Sequence, residues 1–293
     1  MAITTRFTKH SLFLLSLVAL CAPTSAITAQ SPSCEIEGDP DIYGIGIRCG
    51  FYLQWASLVI ILLFTPKEGA SHRTASTITT LAVYINTFRS MRQGSLVSVD
   101  YPLLWYLTSN LTFFNWPVSA VGYKKHGGSQ AMVIVIWAMY YLAGPWVFFK
   151  GLQIGRQPGC DVKYFIFVPI SIYSKGFSTF LKVGSALAVF SAVGLLYIAA
   201  GLVGAWFERW SEGDADDDED DDKKQNPISA MLGILQLITG ALAIAFAEMV
   251  LKHNHITFPD THIADSGQLI PLLIGIFTFA AAVINALRAM SKG

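Results

Sequence analysis

The chain has 293 residues, 53% of them hydrophobic and only 14% charged, with a mean hydropathy of +0.49. That balance excludes a water-soluble domain and is the composition of a polytopic membrane protein, with no nucleic acid expected among its partners. Basic and acidic residues number 20 each, but nine of the acids lie between Glu212 and Asp222, so the body of the chain is basic and carries one acidic appendage.

At the N-terminus, Arg6 and Lys9 precede a short apolar run from Ser11 to Ala22, followed by Pro23 and small residues up to Ala26 or Ala29. This is the three-part pattern of a secretory signal peptide, expected over residues 1–29. The run is too short to span a bilayer comfortably. A retained first helix is the alternative, and either outcome delivers residues 30–43, including Cys34, to the exported side.

The next stretch, Asp39 to Trp55, reads DPDIYGIGIRCGFYLQW. Asp39 before Pro40 is an N-cap signal followed by proline in the first helical turn, and Asp41 suits the positive end of the helix dipole. Gly46, Gly50 and Gln54 recur every four residues and Ser57 follows three later. Small and polar residues at that spacing predict one stripe along which another helix approaches closely. Gly44, Gly46 and Gly50 do not form a dinucleotide fingerprint, because the spacing is wrong and no strand precedes them. Arg48 lies about one turn inside the apolar run, where a guanidinium is costly unless it snorkels, pairs or lines a wet cavity. Asp41 is roughly 10 Å away along the axis. Arg48 is therefore expected either to pair with a carboxylate or anionic group on another element, or to snorkel to the interface.

Asp39 to Arg48, followed by Phe51, Tyr52, Leu53 and Gln54, resembles the head of the first span in a broad group of uncharacterised fungal integral membrane proteins. Those usually read Asn-Pro-Asp, a spacer, Gly-x-Gly-x-Arg and then Tyr-x-Gln, so Asp39 departs from the group while keeping the capping chemistry. The resemblance covers about sixteen residues; beyond them it extends to a similar arrangement of spans and a cysteine in the loop after the fourth. It implies a fungal multi-pass protein entering the secretory membranes and carries no catalytic role.

Seven apolar runs of spanning length are expected: Gly44–Phe64, Thr74–Phe88, Leu96–Val121, Ala131–Phe149, Val183–Phe207, Ile228–Leu251 and Leu269–Leu287. The fold class is all-α, a bundle of seven transmembrane helices after the signal peptide. Runs one to five occupy residues 44–207 with a long exported loop at 150–182, an acidic cytoplasmic loop covers 208–227, runs six and seven fill 228–288, and 289–293 form a cytoplasmic tail. The second run is short and threonine-rich, and every later loop changes side if it does not cross. Outside the signal, lysines and arginines divide equally between the two faces, so orientation rests on the signal peptide. Four runs separate Cys34 from Cys160, which places both on the oxidising side and predicts a disulfide between them. Pairing of Cys34 with Cys49, or three free thiols, are the alternatives.

Ionisable residues within or at the ends of the runs are Arg89, Asp100 and Glu248. Glu248 is the candidate functional carboxylate; its structural alternative is an ion pair with Arg48 or Lys252. Between runs six and seven, His253, His255 and His262 share a segment with Asp260. Imidazoles and a carboxylate can hold zinc or copper or sense pH, yet the spacing matches no closed metal motif and solvated loop histidines are the expectation. The acidic run is expected to be a disordered loop that solvates the connection, with a basic partner as its functional alternative. Pro102, Pro117, Pro145 and Pro271 are expected to kink helices or end them. The sequon Asn110-Leu111-Thr112 falls inside the third run and should be unmodified.

For function, the seventh run lacks a lysine for a retinal Schiff base, no Asp/Glu-Arg-Tyr closes the third, and no Asn-Pro-x-x-Tyr closes the seventh, which disfavours opsins and rhodopsin-type receptors. Midplane charges are nearly absent, which disfavours ion-coupled transport. The expectation is a carrier, channel or sensor for a neutral or lipid-like molecule, without a cofactor and with membrane lipid and a small hydrophobic molecule as partners. The alternative is a cofactor-free membrane-embedded enzyme or accessory protein of fungal specialised metabolism. There Glu248 or Asp100 would supply acid chemistry like that of multi-pass terpene cyclases, which this sequence does not resemble in detail. No Ser/His, Cys/His or metal constellation supports catalysis.

Overall fold

The computed structural model describes residues 35–66, 69–113, 120–154, 161–212, 227–259 and 262–292. Most of them are helical. A short helix α1 (Pro40–Tyr43) leads into α2 (Ile45–Phe64), followed by α3 (Gly69–Gln93), α4 (Asp100–Phe113), α5 (Ala120–Phe149), α6 (Lys175–Glu212), α7 (Pro227–His253) and α8 (Ser266–Lys292). Among the described residues, four short strands cluster at one end. Strand β1 (Ile36–Glu37) pairs in parallel with β4 (Ile256–Thr257), and β2 (Lys163–Ile166) pairs antiparallel with β3 (Val168–Ser171).

Among the described residues, five helices are long and apolar enough to cross a membrane: Pro40–Phe64, Gly128–Phe149, Lys175–Glu208, Met231–His253 and Ser266–Ser291. The expected second and third runs are not among them. The second lies within α3, which is long enough but too rich in hydroxyls and bases. The third, Leu96–Val121, contains α4, whose 14 residues rise only about 21 Å; residues 114–119 lie outside the described set.

Side-chain contacts give each helix a direction. Gln54 on α2 meets Thr79 on α3, Tyr84 on α3 meets Thr108 on α4, and Tyr101 on α4 stacks on Tyr140 of α5. Gly144 of α5 lies against Ser185 of α6, while Gly128 lies against Trp206. Arg48 pairs with Glu248 of α7, whereas Leu63 lies against Gly233. Successive helices from α2 to α7 therefore alternate in direction, and α8 runs parallel to α2. The starts of α2, α4, α6 and α8 gather at one end with the strands, which we call the mouth.

Helix α2 is the centre of the bundle and α6 its periphery. Of the most apolar window in each, 72% is buried for α1–α2 and 11% for α6. Large apolar side chains such as Phe190 and Leu187 on α6 point outward, as expected for a surface that meets lipid rather than water. Helix α3 explains why hydropathy undervalues it. Its hydroxyls at Thr77, Thr79, Thr80 and Thr87 are buried, while Ile78 and Ile85 are exposed. Thr77, Thr79 and Thr87 return their hydroxyls to carbonyls four residues back, which meets their polar demand within the helix.

The parallel α2–α8 pair depends on glycine. A Cβ at Gly46 would stand 2.6 Å from the Gln268 carbonyl oxygen, one at Gly275 would stand 2.6 Å from the Gly50 carbonyl oxygen, and one at Gly50 would strike the Pro271 carbonyl. Backbone meets backbone here, a contact that no larger residue permits. An aromatic cluster of Tyr84, Tyr101, Trp105, Tyr140 and Phe148 binds α3, α4 and α5 beside a cavity of about 10 Å³, roughly the room one water needs.

Three expectations about boundaries change. Helix α6 begins at Lys175, eight residues before the expected Val183, so the loop at 150–182 is largely structured: a 3-10 turn at Gly151–Gln153, then β2 and β3. Pro145 and Pro271 lie inside helices, and Pro102 is the third residue of α4. Cys34, Cys160, Pro117 and residues 213–226 of the acidic segment lie outside the described residues; Cys49 is buried within α2.

Candidate functional site

The helix start at Asp39 is built as its residues dictate. The Asp39 backbone is extended, its Oδ1 accepts the Asp41 N–H at 2.9 Å, and Pro40 occupies the first turn of α1. Its second oxygen, Oδ2, accepts the Ser90 hydroxyl at 2.6 Å, which ties the start of α1 to the end of α3. Asp41 uses its backbone carbonyl to accept from Asn86 of α3 at 3.4 Å, and its carboxylate lies where a Cβ on Gly267 of α8 would fall.

One turn deeper is the charged pair. The Arg48 Nη1 donates to Glu248 Oε1 of α7, and the Tyr52 hydroxyl donates to the same oxygen at 2.6 Å. Tyr52 follows Arg48 by four residues, so both donors share one face of α2 and converge on one acceptor. The Arg48 side chain is 14% exposed and that of Glu248 36%. The guanidinium does not snorkel to water; it is anchored between two helices. Neither group is saturated among the described residues. Both bonds to Glu248 use Oε1, leaving Oε2 as an acceptor, and Arg48 Nε is buried without a partner.

The third element was not visible in sequence. Tyr43 and Asp100 are both fully buried, and the Tyr43 hydroxyl donates to Asp100 Oδ1 at 2.6 Å while the Val97 N–H donates to Oδ2 at 2.7 Å. Asp100, the first residue of α4, thus closes the turn that leads into the helix and receives a tyrosine from α1, which satisfies a carboxylate that would otherwise be costly at this depth.

The expected stripe divides. Gly46 and Gly50 face α8, where the Gly46 N–H also donates to Gln268 Oε1 at 3.1 Å. Gln54 instead donates to Thr79 of α3 at 3.2 Å, and Ser57 returns its hydroxyl to Leu53 within its own helix. The cause is geometric: each four-residue step overshoots a 3.6-residue turn by about 40°, so Gln54 has rotated by about 80° from Gly46. Deeper still, Gln236 of α7 is fully buried, donates to the Asn110 carbonyl at 3.1 Å and offers its own carbonyl to Trp55 Nε1 at 3.0 Å. Its signal in sequence was a lone amide in an apolar run.

The histidines do not converge. His253 Nδ1 lies 2.9 Å from the Met249 carbonyl and its ring packs on Phe165 at 5.6 Å. His255 is exposed, and His262 uses its backbone N–H to donate to Asp265 Oδ2 at 2.9 Å. Among the described residues no three His, Cys, Asp or Glu side chains group as metal ligands, and Asp260 lies outside them. The arrangement at Arg48, Tyr52 and Glu248 can hold a polar group by paired hydrogen bonds. No family model, curated protein or solved structure matches this chain, so its fold and this cluster stand as the basis for any functional reading.

Proposed function

We propose that this protein is a seven-pass membrane protein of the secretory pathway that recognises a neutral or lipid-like molecule at Arg48, Tyr52 and Glu248 and acts as a carrier, channel or sensor. The observation that carries the reading is the incomplete saturation of a partly buried ion pair: Glu248 Oε2, on a carboxylate that is 36% exposed, is a spare acceptor, and Arg48 Nε a spare donor. A molecule bearing one hydroxyl or amide supplies both a donor and an acceptor, and its apolar remainder suits the apolar outer surfaces of α6, α7 and α8. Cancellation of the two charges by each other argues against a net-charged cargo at this point.

Crossing by α3 and α4 as well is supported by their alternating directions within the bundle. The even number of crossings between Cys34 and Cys160 that this gives keeps the two cysteines on one side of the membrane, as the proposed disulfide requires. The enzyme alternative asks Glu248 to donate a proton. A carboxylate engaged by a guanidinium and a phenol is an acceptor and has none to give, so that role passes to Asp100, which is sealed by Tyr43.

The test compares small molecules inside and outside host cells that carry the gene, lack it, or carry a Glu248→Gln copy. A compound still made but found on the wrong side of the membrane in both altered strains supports a carrier. A compound whose synthesis stops altogether in both supports the enzyme and overturns this reading.

A further inference from the structure

The β2–β3 hairpin has an unusual tip. Phe167 joins the strands with φ at +62°, a left-handed conformation that bulky residues rarely adopt, and its ring is 75% exposed. Its neighbours Ile166 and Val168 are also exposed, at 40% and 57%. Glycine would serve such a turn at no conformational cost. A strained, exposed phenylalanine there needs something for its ring to enter.

Depth identifies that partner. The hairpin does not project away from the bundle but lies along α7. Lys163 is held at the end of that helix, where its N–H donates to Asn254 Oδ1 at 2.7 Å and its carbonyl accepts from Asn254 Nδ2 at 2.8 Å. Phe165 then packs on His253, and both Phe165 and Phe167 pack on Phe246, with ring centroids 5.7 and 5.3 Å away. Phe246 lies seven residues inside the Met231–His253 span, about 10 Å below its end. Since 23 residues rise roughly the thickness of the hydrocarbon core, Phe246 and the hairpin tip lie at acyl-chain depth.

A strand at that depth must satisfy its backbone, and on its inner side β2 does so for three of four groups. Ile172 N donates to the Val162 carbonyl, so Lys163 and Phe165 are the residues of β2 that point polar groups away from β3. Three of those four groups are met: Asn254 takes the N–H and the carbonyl of Lys163, and the Tyr106 hydroxyl of α4 donates to the Phe165 carbonyl at 2.8 Å. On the outer strand, the residue opposite Phe165 is Pro169, which has no N–H to leave unpaired.

We infer that the β2–β3 hairpin is a membrane wedge whose tip, Ile166, Phe167 and Val168, inserts among lipid acyl chains beside α7. Its apolar surface continues that of Met249 and Leu242 on the same helix. The inference is independent of the ligand proposed at Glu248.

The test uses the full chain with Phe167→Cys, labelled with an environment-sensitive fluorophore and reconstituted in phosphatidylcholine vesicles. Labelled protein without the added cysteine provides the background. Tyr197→Cys, in the exposed middle of α6, is the lipid reference, and Ala264→Cys, in the exposed α7–α8 connection, is the water reference. The expected result is blue-shifted emission at position 167, quenching by nitroxide-bearing acyl chains as at 197, and loss of the iodide quenching seen at 264. Iodide quenching equal to that at 264, or protection from both quenchers, overturns the wedge. If Phe167→Cys fails to fold, Val168→Cys carries the same comparison from the adjacent exposed position.

Discussion

Breaking the Arg48–Glu248 pair should reveal how strongly α2 and α7 are coupled. A buried ion pair cut on one side costs about 3–5 kcal/mol because the remaining charge has no partner, whereas an exposed pair is worth about 0–1 kcal/mol. Here Arg48 is 14% exposed and Glu248 36%, so solvent screens part of the interaction and the expected coupling is about 1–3 kcal/mol. Arg48→Met and Glu248→Gln, singly and together, form a double-mutant cycle measured by denaturant titration of the protein in mixed micelles. Arg48→Met should be the more damaging single change, since the stem it replaces is buried but Glu248 then retains only Tyr52. The double variant should be more stable than the sum of the single losses implies. Additivity within about 0.3–0.5 kcal/mol, the behaviour of independent sites, would refute the reasoning.

Other consequences follow from the same packing. Gly50→Leu should separate α2 from α8 and lower stability by at least about 1–3 kcal/mol through overpacking against the Pro271 carbonyl, while Leu53→Ala on the same helix should be milder; comparing the two in the same titration checks this. Tyr43→Phe removes one of two donors to buried Asp100 and should cost about 1.5–3 kcal/mol, and pairing it with Asp100→Asn should recover part of that loss. Thr79→Val strands the Gln54 amide and should destabilise, whereas adding Gln54→Leu to it should restore stability toward the parent, because replacing both partners leaves nothing unpaired. In thiol labelling of non-reduced protein, Cys34 should be protected and should become reactive after reduction; a reactive Cys34 in the non-reduced sample would remove the proposed bridge to Cys160.

The amino-acid sequence by itself determined the membrane class, the helical fold, the helix start at Asp39 and Pro40, and the close approach of another helix at Gly46 and Gly50. Each of these follows from local chemistry: apolar run length, capping, and absence of a Cβ. Arg48 could be recognised as anomalous for the same reason, since a charge in an apolar run must be answered. Only the tertiary structure decided what answers it. Glu248 is 200 residues away, and although the sequence left a pair with Arg48 or with Lys252 open for it, nothing local to Glu248 selects Arg48 over Lys252. The same holds for Tyr43 with Asp100 and for Gln54 with Thr79, where helix rotation turned the amide away from the glycines. Helix α3 was undervalued because hydropathy sums a whole segment, while the folded chain sorts its hydroxyls inward and its isoleucines outward. The hairpin at Lys163–Ser171 read as loop because its strands are short. Its place beside α7 is set by Asn254 and Tyr106, two side chains whose role exists only once the helices are packed together.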